Sequence, residues 1–527
     1  MPQLVPTLTC KTCGSALTSN VSTPSSPTPH LYRTLQAPDP IEGISIRKVL
    51  TDAKRNLLRL DDEITHAQVV LDELCQQRRS LLNFTMDHDA FLAPIRQLPS
   101  EILTHIFTLC MPEHETSSFE SWRVPLLIGQ VCVGWRKAAL STQKLWSSIT
   151  VAHTKGLNES LTKVWLSRAI SSPLAIRLDY ESYGLSIAKR MRPVIAVLVQ
   201  YCDRWKRLDI RLHPSMMSYL DPVRHRLPWL ESLRICDQDS SEWPQKLDLF
   251  EHAPRLRSIR LPSGLSHPML KVPWHQLTEL HASFATLTKC LETLRLAPNL
   301  VKCTMDCWDY PIQSHDIVLR FPHMRSFHVF APSCPMEIFR HVELPILHDI
   351  YVVYRREQYA SGSWLSQQPF LSLLSHSSHT LRILKVKGLY RQDSVHVEHC
   401  LRATPSLIKL SLRGSKMWLD SNLLRLLTRH SSPDANALLV PDLEVLVIGD
   451  ESIDPHLCAV MIQSRRQMAD NTCGARLQRI RVELRWTANW PLYSLESLRK
   501  CREEGMDISI IDTMSNRDAL RHWDDLT

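Results

Sequence analysis

The sequence predicts a multidomain chain in which helices come first and a repetitive α/β region follows. Three observations predict this class: a heptad pattern of apolar residues, a group of short amphipathic helices, and a phrase that recurs through the second half. At 527 residues the chain is longer than single hydrophobic cores usually become, so we expect more than one unit. The predicted parts are a tail (1–38), a heptad helix (39–90), a short-helix region (91–150) and a repetitive region (151–527).

The N-terminal tail is rich in Ser, Thr and Pro, a composition typical of disordered segments. Within it, Cys10 and Cys13 form "CKTC", which has the spacing of half a zinc site. No second Cys pair or His pair follows at a useful distance. Two free thiols are therefore the favoured interpretation, and the sequence predicts no cofactor and no metal.

The heptad helix begins at "DPIE", where Asp39 is suited to the N-cap, Pro40 to the first turn and Glu42 to the third helical position. A sustained 3-4 spacing of seam residues then favours a coiled-coil helix. The seam positions are Ile46, Leu50, Ala53, Leu57, Leu60, Ile64, Ala67, Leu71, Leu74, Arg78 and Leu81. Two interpretations stay open: self-association through residues 44–82, or a long helix folded back on its own chain.

Three short amphipathic helices are predicted after the prolines of "FLAPIRQLP" break the long helix. The first lies in "IRQLPSEILTHIFTLCMP" at 95–112. The second and third lie in "LLIGQVCVGWRKAALSTQKLWSSI" at 126–149, with Val131 and Cys132 on the second, and Trp135, Leu145 and Trp146 on the third. Because so many apolar residues share so little enclosed volume, we expect part of the helical surface to stay uncovered, as in partner-binding surfaces.

A recurring phrase dominates the repetitive region. It carries an apolar or aromatic anchor, a second apolar residue three positions later and a third two positions after that, as in "RWKRLDI" and "RLQRIRV". The first anchors are Trp205, Leu230, Leu256, Leu277, Leu300, Met324, Leu347, Leu381, Leu407, Leu443 and Leu477. Most gaps fall within the about 20–29 residues of leucine-rich repeats, which place one strand per repeat on a stacked sheet. The expected asparagine is missing, so the repeat is degenerate; a conventional α/β sheet is the alternative.

Composition excludes several classes of function. The net charge is only +8 and no run of five like charges occurs, so no nucleic-acid partner is predicted. The longest strongly apolar stretch, "VIAVLV", is far below the roughly 20 residues that span a bilayer, so no membrane association is predicted. Phosphate-binding glycine motifs and hydrolase signatures are missing, so we expect no enzyme. Scattered cysteines and the lack of a secretory signal favour the cytoplasm or nucleus.

Residues 95–148 resemble an F-box, the helical module that docks substrate receptors of cullin-RING ubiquitin ligases on the Skp adaptor. The resemblance is carried by "LPSEIL", "HIF", "QVCVGWRKAAL" and "LW". The whole chain is similar to fungal F-box proteins with an upstream heptad helix and a degenerate leucine-rich-repeat tail. A long loop at 112–125 departs from compact F-boxes. The residues that the resemblance assigns to adaptor docking or to the module's core are Leu98, Pro99, Ile102, Leu103, Ile106, Phe107, Val131, Cys132, Trp135, Leu145 and Trp146.

The resemblance implies a non-catalytic substrate-recognition subunit of a Skp–cullin–F-box ubiquitin ligase. In that role the short helices bind the Skp adaptor, and through it the cullin-RING ligase, while the repeats bind an unidentified protein target. The alternative function is an interaction scaffold, assembled through the heptad helix, that never recruits a ligase.

Overall fold

The structure, a computed structural model, describes most of the chain in two compact units, residues 1–102 and 103–527. The described residues are 8–9, 16–17, 21–111, 123–152, 159–179, 185–236, 243, 246–309, 317–331, 336–354, 365, 368–414, 418–429, 439–450, 453–466, 475–484, 492–512 and 517–518. Cys10 and Cys13, the pair considered for zinc, lie outside this set.

The first unit is dominated by a single helix of 53 residues, α1 (Pro40–Leu92). Its start confirms the predicted capping box: the Glu42 backbone N–H donates to Asp39 Oδ1 (2.6 Å), and the Asp39 N–H donates to Glu42 Oε2 (3.0 Å). The prolines at 94 and 99 end it as expected, and a 3-10 turn, Pro94–Gln97, follows. The strands β1 (Leu8–Thr9) and β2 (Ala16–Leu17) form an antiparallel pair in the same unit.

The second unit contains a fifteen-stranded sheet, which confirms a mixed α/β class with a large parallel sheet. Its strands are β3 (Ser148–Ala152), β4 (Leu174–Asp179), β5 (Trp205–Arg211), β6 (Ser232–Ile235), β7 (Ser258–Arg260), β8 (Glu279–Thr286), β9 (Lys302–Asp309), β11 (Ser326–Ala331), β13 (Asp349–Tyr354), β14 (Ile383–Leu389), β15 (Lys409–Gly414), β16 (Val445–Asp450), β17 (Arg479–Leu484), β18 (Asp507–Asp512) and β19 (Arg517–Asp518). The short strands β10 (Leu319–Arg320) and β12 (Val342–Glu343) pair separately.

Strand order in the large sheet follows the chain from β3 to β19. Every neighbouring pair is parallel except the last, β18 with β19, which is antiparallel. Each of the eleven recurring phrases leads into one strand of this sheet, from β5 to β17. The phrase therefore located eleven of the fifteen strands correctly.

Alternate residues of the strands build a continuous core on one face of the sheet, because side chains of a strand point to opposite faces in turn. One buried ladder crosses fourteen strands in register. Its members are Ile149, Ile176, Leu208, Leu233, Ile259, Leu280, Cys303, Phe327, Ile350, Leu384, Leu410, Leu446, Ile480 and Ile508. All eleven anchors are also completely buried, so the phrase identifies core residues as well as strands.

Helices occupy many of the connections between strands. The helices of the second unit beyond the short-helix region are α5 (Glu159–Ala169), α6 (Leu185–Val199), α7 (Leu287–Arg295), α8 (Met336–Arg340), α9 (Gln368–His376), α10 (Ser394–Arg402), α11 (Ser421–Leu427), α12 (Pro455–Arg466) and α13 (Leu492–Glu503). The three longest gaps between anchors contain α9, α11 and α12.

Candidate functional site

The chain enters the short-helix region through Leu98 and Pro99, which immediately precede helix α2 (Ser100–Leu109). Leu98 is half-buried and Pro99 is exposed. On the first turn of α2, Ile102 leaves 47% of its surface exposed. The sequence thus correctly predicted a short helix directly after Pro99. Leu98, Pro99 and Ile102, which the resemblance assigns to adaptor docking or to the module's core, are thus all at least partly exposed to solvent.

The rest of α2 packs within the second unit. Phe107 is buried, whereas Leu103 and Ile106 are half-buried against the same core. The Phe107 ring lies 4.9 Å from the ring of Trp135, centroid to centroid, within the range of favourable aromatic contacts. Trp135 is carried by α4 (Val133–Ser141), so this aromatic contact joins α2 to α4.

A tight junction connects α3 (Val124–Val131) to α4. The Cys132 sulfur accepts a hydrogen bond from the Trp135 backbone N–H (3.4 Å), which caps the start of α4. Arg136 Nε also donates to the carbonyl of Gly129 (2.8 Å), which links the two helices. Val131 ends α3 with 60% of its surface exposed. The prediction that Cys132 lies on the second helix was therefore wrong: its extended backbone ends α3 at Val131, and its sulfur caps the start of α4.

The predicted extent of the third helix was wrong. α4 ends at Ser141 because Thr142 adopts an extended backbone conformation, so Leu145 and Trp146 lie in a separate 3-10 turn, Gln143–Trp146. Trp146 Nε1 donates to the carbonyl of Ala139 (2.8 Å), which ties this turn back to α4.

Trp146 packs mainly against the α/β part of the unit. Its ring lies 4.7 Å from that of Trp165 on α5, and the Arg168 guanidinium lies over it. Trp146 also precedes Ile149 by three residues and Val151 by five, the spacing of the recurring phrase. It is therefore the buried anchor of β3, as Trp205 is of β5, and this spacing was the signal that sequence reasoning missed.

Several exposed apolar residues of the short helices were missing from the predicted docking set. They are Leu109 on α2, Leu126 and Leu127 on α3, and Val133 and Leu140 on α4. Leu109 follows Ile102 by seven residues, so helical spacing alone would have placed both on one stripe. Val133 and Leu140 share the same spacing on α4. Residues 112–122, which include most of the predicted long loop, lie outside the described part of the chain.

A second candidate surface is the outer face of the large sheet, opposite the core. One row across it, called the outer row below, consists of half-buried side chains in register: Arg177, Asp209, Arg234, Arg260, His281, Thr304, His328, Tyr351 and Lys385. Arg177 Nε donates to Asp209 Oδ2 (2.9 Å), and His328 Nε2 lies 2.9 Å from Asp349 Oδ2. The row therefore carries both charged and hydrogen-bonding groups.

The middle of the outer row is positively charged. Arg260 Nη2 lies 3.1 Å from His281 Nδ1. Nδ1 can accept a hydrogen bond from the Arg260 guanidinium only when the His281 ring is neutral and Nδ1 carries no proton. Burial, with the cations Arg260 and Arg234 as further causes, lowers the pKa of His281 to about 4. His281 is therefore neutral at pH 7, and the two guanidinium groups supply the charge at this point of the sheet.

Nothing in the described residues has the arrangement of a metal centre, because no group of three His, Cys, Asp or Glu side chains converges there. Among the same residues, no helix combines the length and the apolar character needed to cross a membrane. No protein-family model matches the chain, and no curated protein matches it.

Proposed function

We propose that this chain is a substrate-recognition subunit of a Skp–cullin–F-box ubiquitin ligase. The observation that carries the proposal is the exposure of apolar residues along short helices whose aromatic residues, Phe107 and Trp135, are buried and half-buried. Ile102 and Val131 are open to solvent, whereas Phe107 is covered. Apolar residues left uncovered in this way are typical of interaction sites. F-box-like motifs occur along the same segment, from Leu98 to Trp146.

In the proposed complex, Leu98, Pro99 and Ile102 insert into an apolar groove of the Skp adaptor. Phe107 and Trp135 have a different role, because the contact between their tilted rings holds α2 on α4. Burial of exposed apolar surface drives such an association at roughly 25 cal/mol per Å². Exposed apolar residues of α3 and α4 are further candidates for adaptor contact.

We further propose that the large sheet is a degenerate leucine-rich-repeat solenoid whose outer face binds the target. Three features support this: strand order follows the chain, one strand follows each phrase, and all eleven anchors are completely buried. Stacked repeats of this kind create extended binding surfaces. Arg234 and Arg260 in the outer row favour a target segment that carries acidic groups.

The chain itself catalyses no step in this proposal. It raises the effective concentration of target lysines near the ubiquitin carrier by holding target and ligase together. Such a role needs two binding surfaces on one chain, and none of the described residues has to act as acid, base or nucleophile.

Co-purification of the full chain with the Skp adaptor tests the proposal. The wild-type chain is expected to retain the adaptor, and Leu98→Asp combined with Pro99→Ala is expected to lose it. The introduced carboxylate would have to enter an apolar groove without a partner, which is strongly unfavourable. Val131→Asp is expected to weaken retention as well.

A matched control is Val395→Asp, which places the same carboxylate on an exposed apolar position of α10, remote in sequence. This variant is expected to retain the adaptor fully. Circular dichroism and the tryptophan emission of each variant check that the fold is intact. Failure of the wild-type chain to bind the adaptor, or equal retention by all variants, would contradict the proposal.

The second candidate function is an interaction scaffold that does not recruit a ligase. The observation that favours it is that no residue of the 53-residue helix α1 is buried. Under this reading the wild-type chain would assemble with partners through α1 but would never co-purify with the adaptor.

A further inference from the structure

The seam of α1 is a long apolar surface that the described residues leave exposed. Six of its leucine and isoleucine residues are exposed: Leu50, Leu57, Ile64, Leu71, Leu74 and Leu81. At 1.5 Å per residue, the helix extends for roughly 80 Å. Heptad seams of this length are usually buried against another helix. The residues of the seam itself indicate which helix that is and in which direction it runs.

A parallel, in-register pair of α1 helices would place each seam residue against its own copy. Arg78 would then face a second Arg78 across a largely desolvated interface, where like charges repel strongly. Ala53 and Ala67 would likewise face alanines, and such layers would be underpacked between neighbouring leucine layers. The parallel arrangement is therefore unfavourable at three of the ten seam positions from Leu50 to Leu81.

An antiparallel pair removes all three conflicts. With a two-fold axis between Thr65 and His66, the ten seam positions from 50 to 81 pair completely among themselves. Leu50 faces Leu81 of the second copy, and the following layers pair 53 with 78, 57 with 74, 60 with 71, and 64 with 67. Each small alanine now faces a large side chain, Arg78 or Ile64, and the two arginines lie in separate layers.

The limits of the helix support the same axis independently. α1 runs from Pro40 to Leu92, so its midpoint is His66. A two-fold axis between Thr65 and His66 therefore overlaps the two helices along almost their whole length. A shift of one heptad in either direction would leave seam residues at both ends without a partner.

Flanking positions of this antiparallel pair are also compatible. On one side, Lys54 faces Cys75 of the second copy, and Asp61 faces Gln68. On the other side, Glu63 faces Val70, and it already forms an ion pair with Arg59 of its own helix (3.3 Å). No pair brings two like charges together.

We propose that α1 joins two copies of this chain as an antiparallel two-stranded coiled coil centred between Thr65 and His66. This inference does not depend on adaptor binding, because the helix and its seam lie outside the proposed docking residues. A dimer of this kind would carry two copies of the second unit.

Chemical crosslinking of the full chain tests the direction of the helices. Cys75 is exposed and supplies one thiol. Lys54→Cys adds a thiol that faces Cys75 only in the antiparallel pair, whereas Val70→Cys adds one that faces it only in a parallel pair. With a short bis-maleimide reagent, we expect a covalent dimer through positions 54 and 75 for Lys54→Cys. Val70→Cys is expected to give no 70–75 dimer, as read from denaturing gels and crosslinked peptides.

Light scattering tests the association itself. The full chain is expected at twice its mass of 60.7 kDa. Leu57→Asp is expected to weaken dimerisation at least tenfold, because it disrupts two seam layers, while its neighbour Leu58→Asp, outside the seam, leaves dimerisation unchanged. Helix content by circular dichroism should match between the two variants. A monomeric wild-type chain, equal effects of both variants, or a 70–75 crosslink in place of 54–75 would each overturn the proposal.

Discussion

Helix α1 and the large sheet both carry a regular apolar pattern, yet the two patterns differ completely in burial. Leu57 of the α1 seam has 58% of its surface exposed, whereas Leu410 of the sheet has 0%. Each of the two leucines belongs to a series of apolar residues that recurs at regular spacing along the sequence. The difference is that strands β3 to β18 and their connecting helices cover one another, whereas the described residues leave the seam of α1 exposed.

Apolar periodicity therefore predicts which face of a helix or strand is apolar, but it does not predict which residues bury that face. In the sheet each strand packs beside its sequence neighbours, so the cover comes from nearby residues. In α1 the pattern continues for more than four heptads without a second helix of similar length among the described residues. We therefore infer that the apolar pattern of the sheet stabilises the fold of the second unit, whereas the apolar seam of α1 mediates assembly with another helix.

The largest effect on the free energy of unfolding is expected from replacing one leucine by alanine in each of the two regions. Leu410→Ala should destabilise the second unit by about 4 kcal/mol, because it opens a cavity in a completely buried ladder. Leu57→Ala should leave the stability of that unit unchanged. Urea unfolding followed by tryptophan fluorescence measures both, since all 14 tryptophans lie outside α1. Equal losses in the two variants would break the comparison.

A smaller effect is expected from the same glycine substitution made in each region. Gly388 in β14 has φ +95°, and a Cβ there would overlap the Tyr354 carbonyl oxygen, so Gly388→Ala should cost about 3 kcal/mol. Gly43 in the first turns of α1 has ordinary backbone geometry, and a Cβ there would meet only the Arg47 guanidinium, at an ordinary van der Waals distance of 3.6 Å. Gly43→Ala should stabilise the helix by up to about 1 kcal/mol. Urea unfolding and thermal melting by circular dichroism test the opposite signs.

The smallest effect concerns pH and the outer row. The pKa of His281 is lowered from 6.5 to about 4, chiefly by burial and then by Arg260 and Arg234. As the pH falls from about 6.5 towards 4, the unfolded chain takes up this proton first, so the folded state loses stability. His281→Gln should reduce this loss by about 1 kcal/mol, since partial exposure screens the effect. Unfolding midpoints at pH 7 and pH 4.5 check it; an unchanged pH dependence would contradict it.

Much of the fold could be predicted from particular residues. The anchors from Trp205 to Leu477 located eleven strands, and Asp39 with Glu42 located the start of α1. Four sheet strands, β3, β4, β18 and β19, lie outside the phrase, and for β3 and β18 the reason is identifiable. In β18 the position three residues before Ile508 is Gly505, which offers no apolar anchor. The anchor of β3 is Trp146, which sequence reasoning had assigned to the third short helix.

The candidate docking surface was less accessible to sequence reasoning. A helical pattern placed Ile102 and Phe107 in one amphipathic helix but could not assign one to solvent and the other to the core. That assignment depends on Trp135, which packs on Phe107 from another helix. The outer row was not identified by sequence reasoning, although its members from Asp209 to Lys385 each lie four residues after an anchor of the recurring phrase.

Hydrogen–deuterium exchange of the full chain, measured with and without the Skp adaptor, shows directly whether the short helices bind the adaptor. We expect the adaptor to slow backbone amide exchange in Ser100–Leu109 and in Val124–Ser141, while the amides of the large sheet exchange at unchanged rates. Leu98→Asp with Pro99→Ala should abolish this protection. An adaptor that changes no exchange rate in the wild-type chain, or that protects only the sheet, would contradict the account.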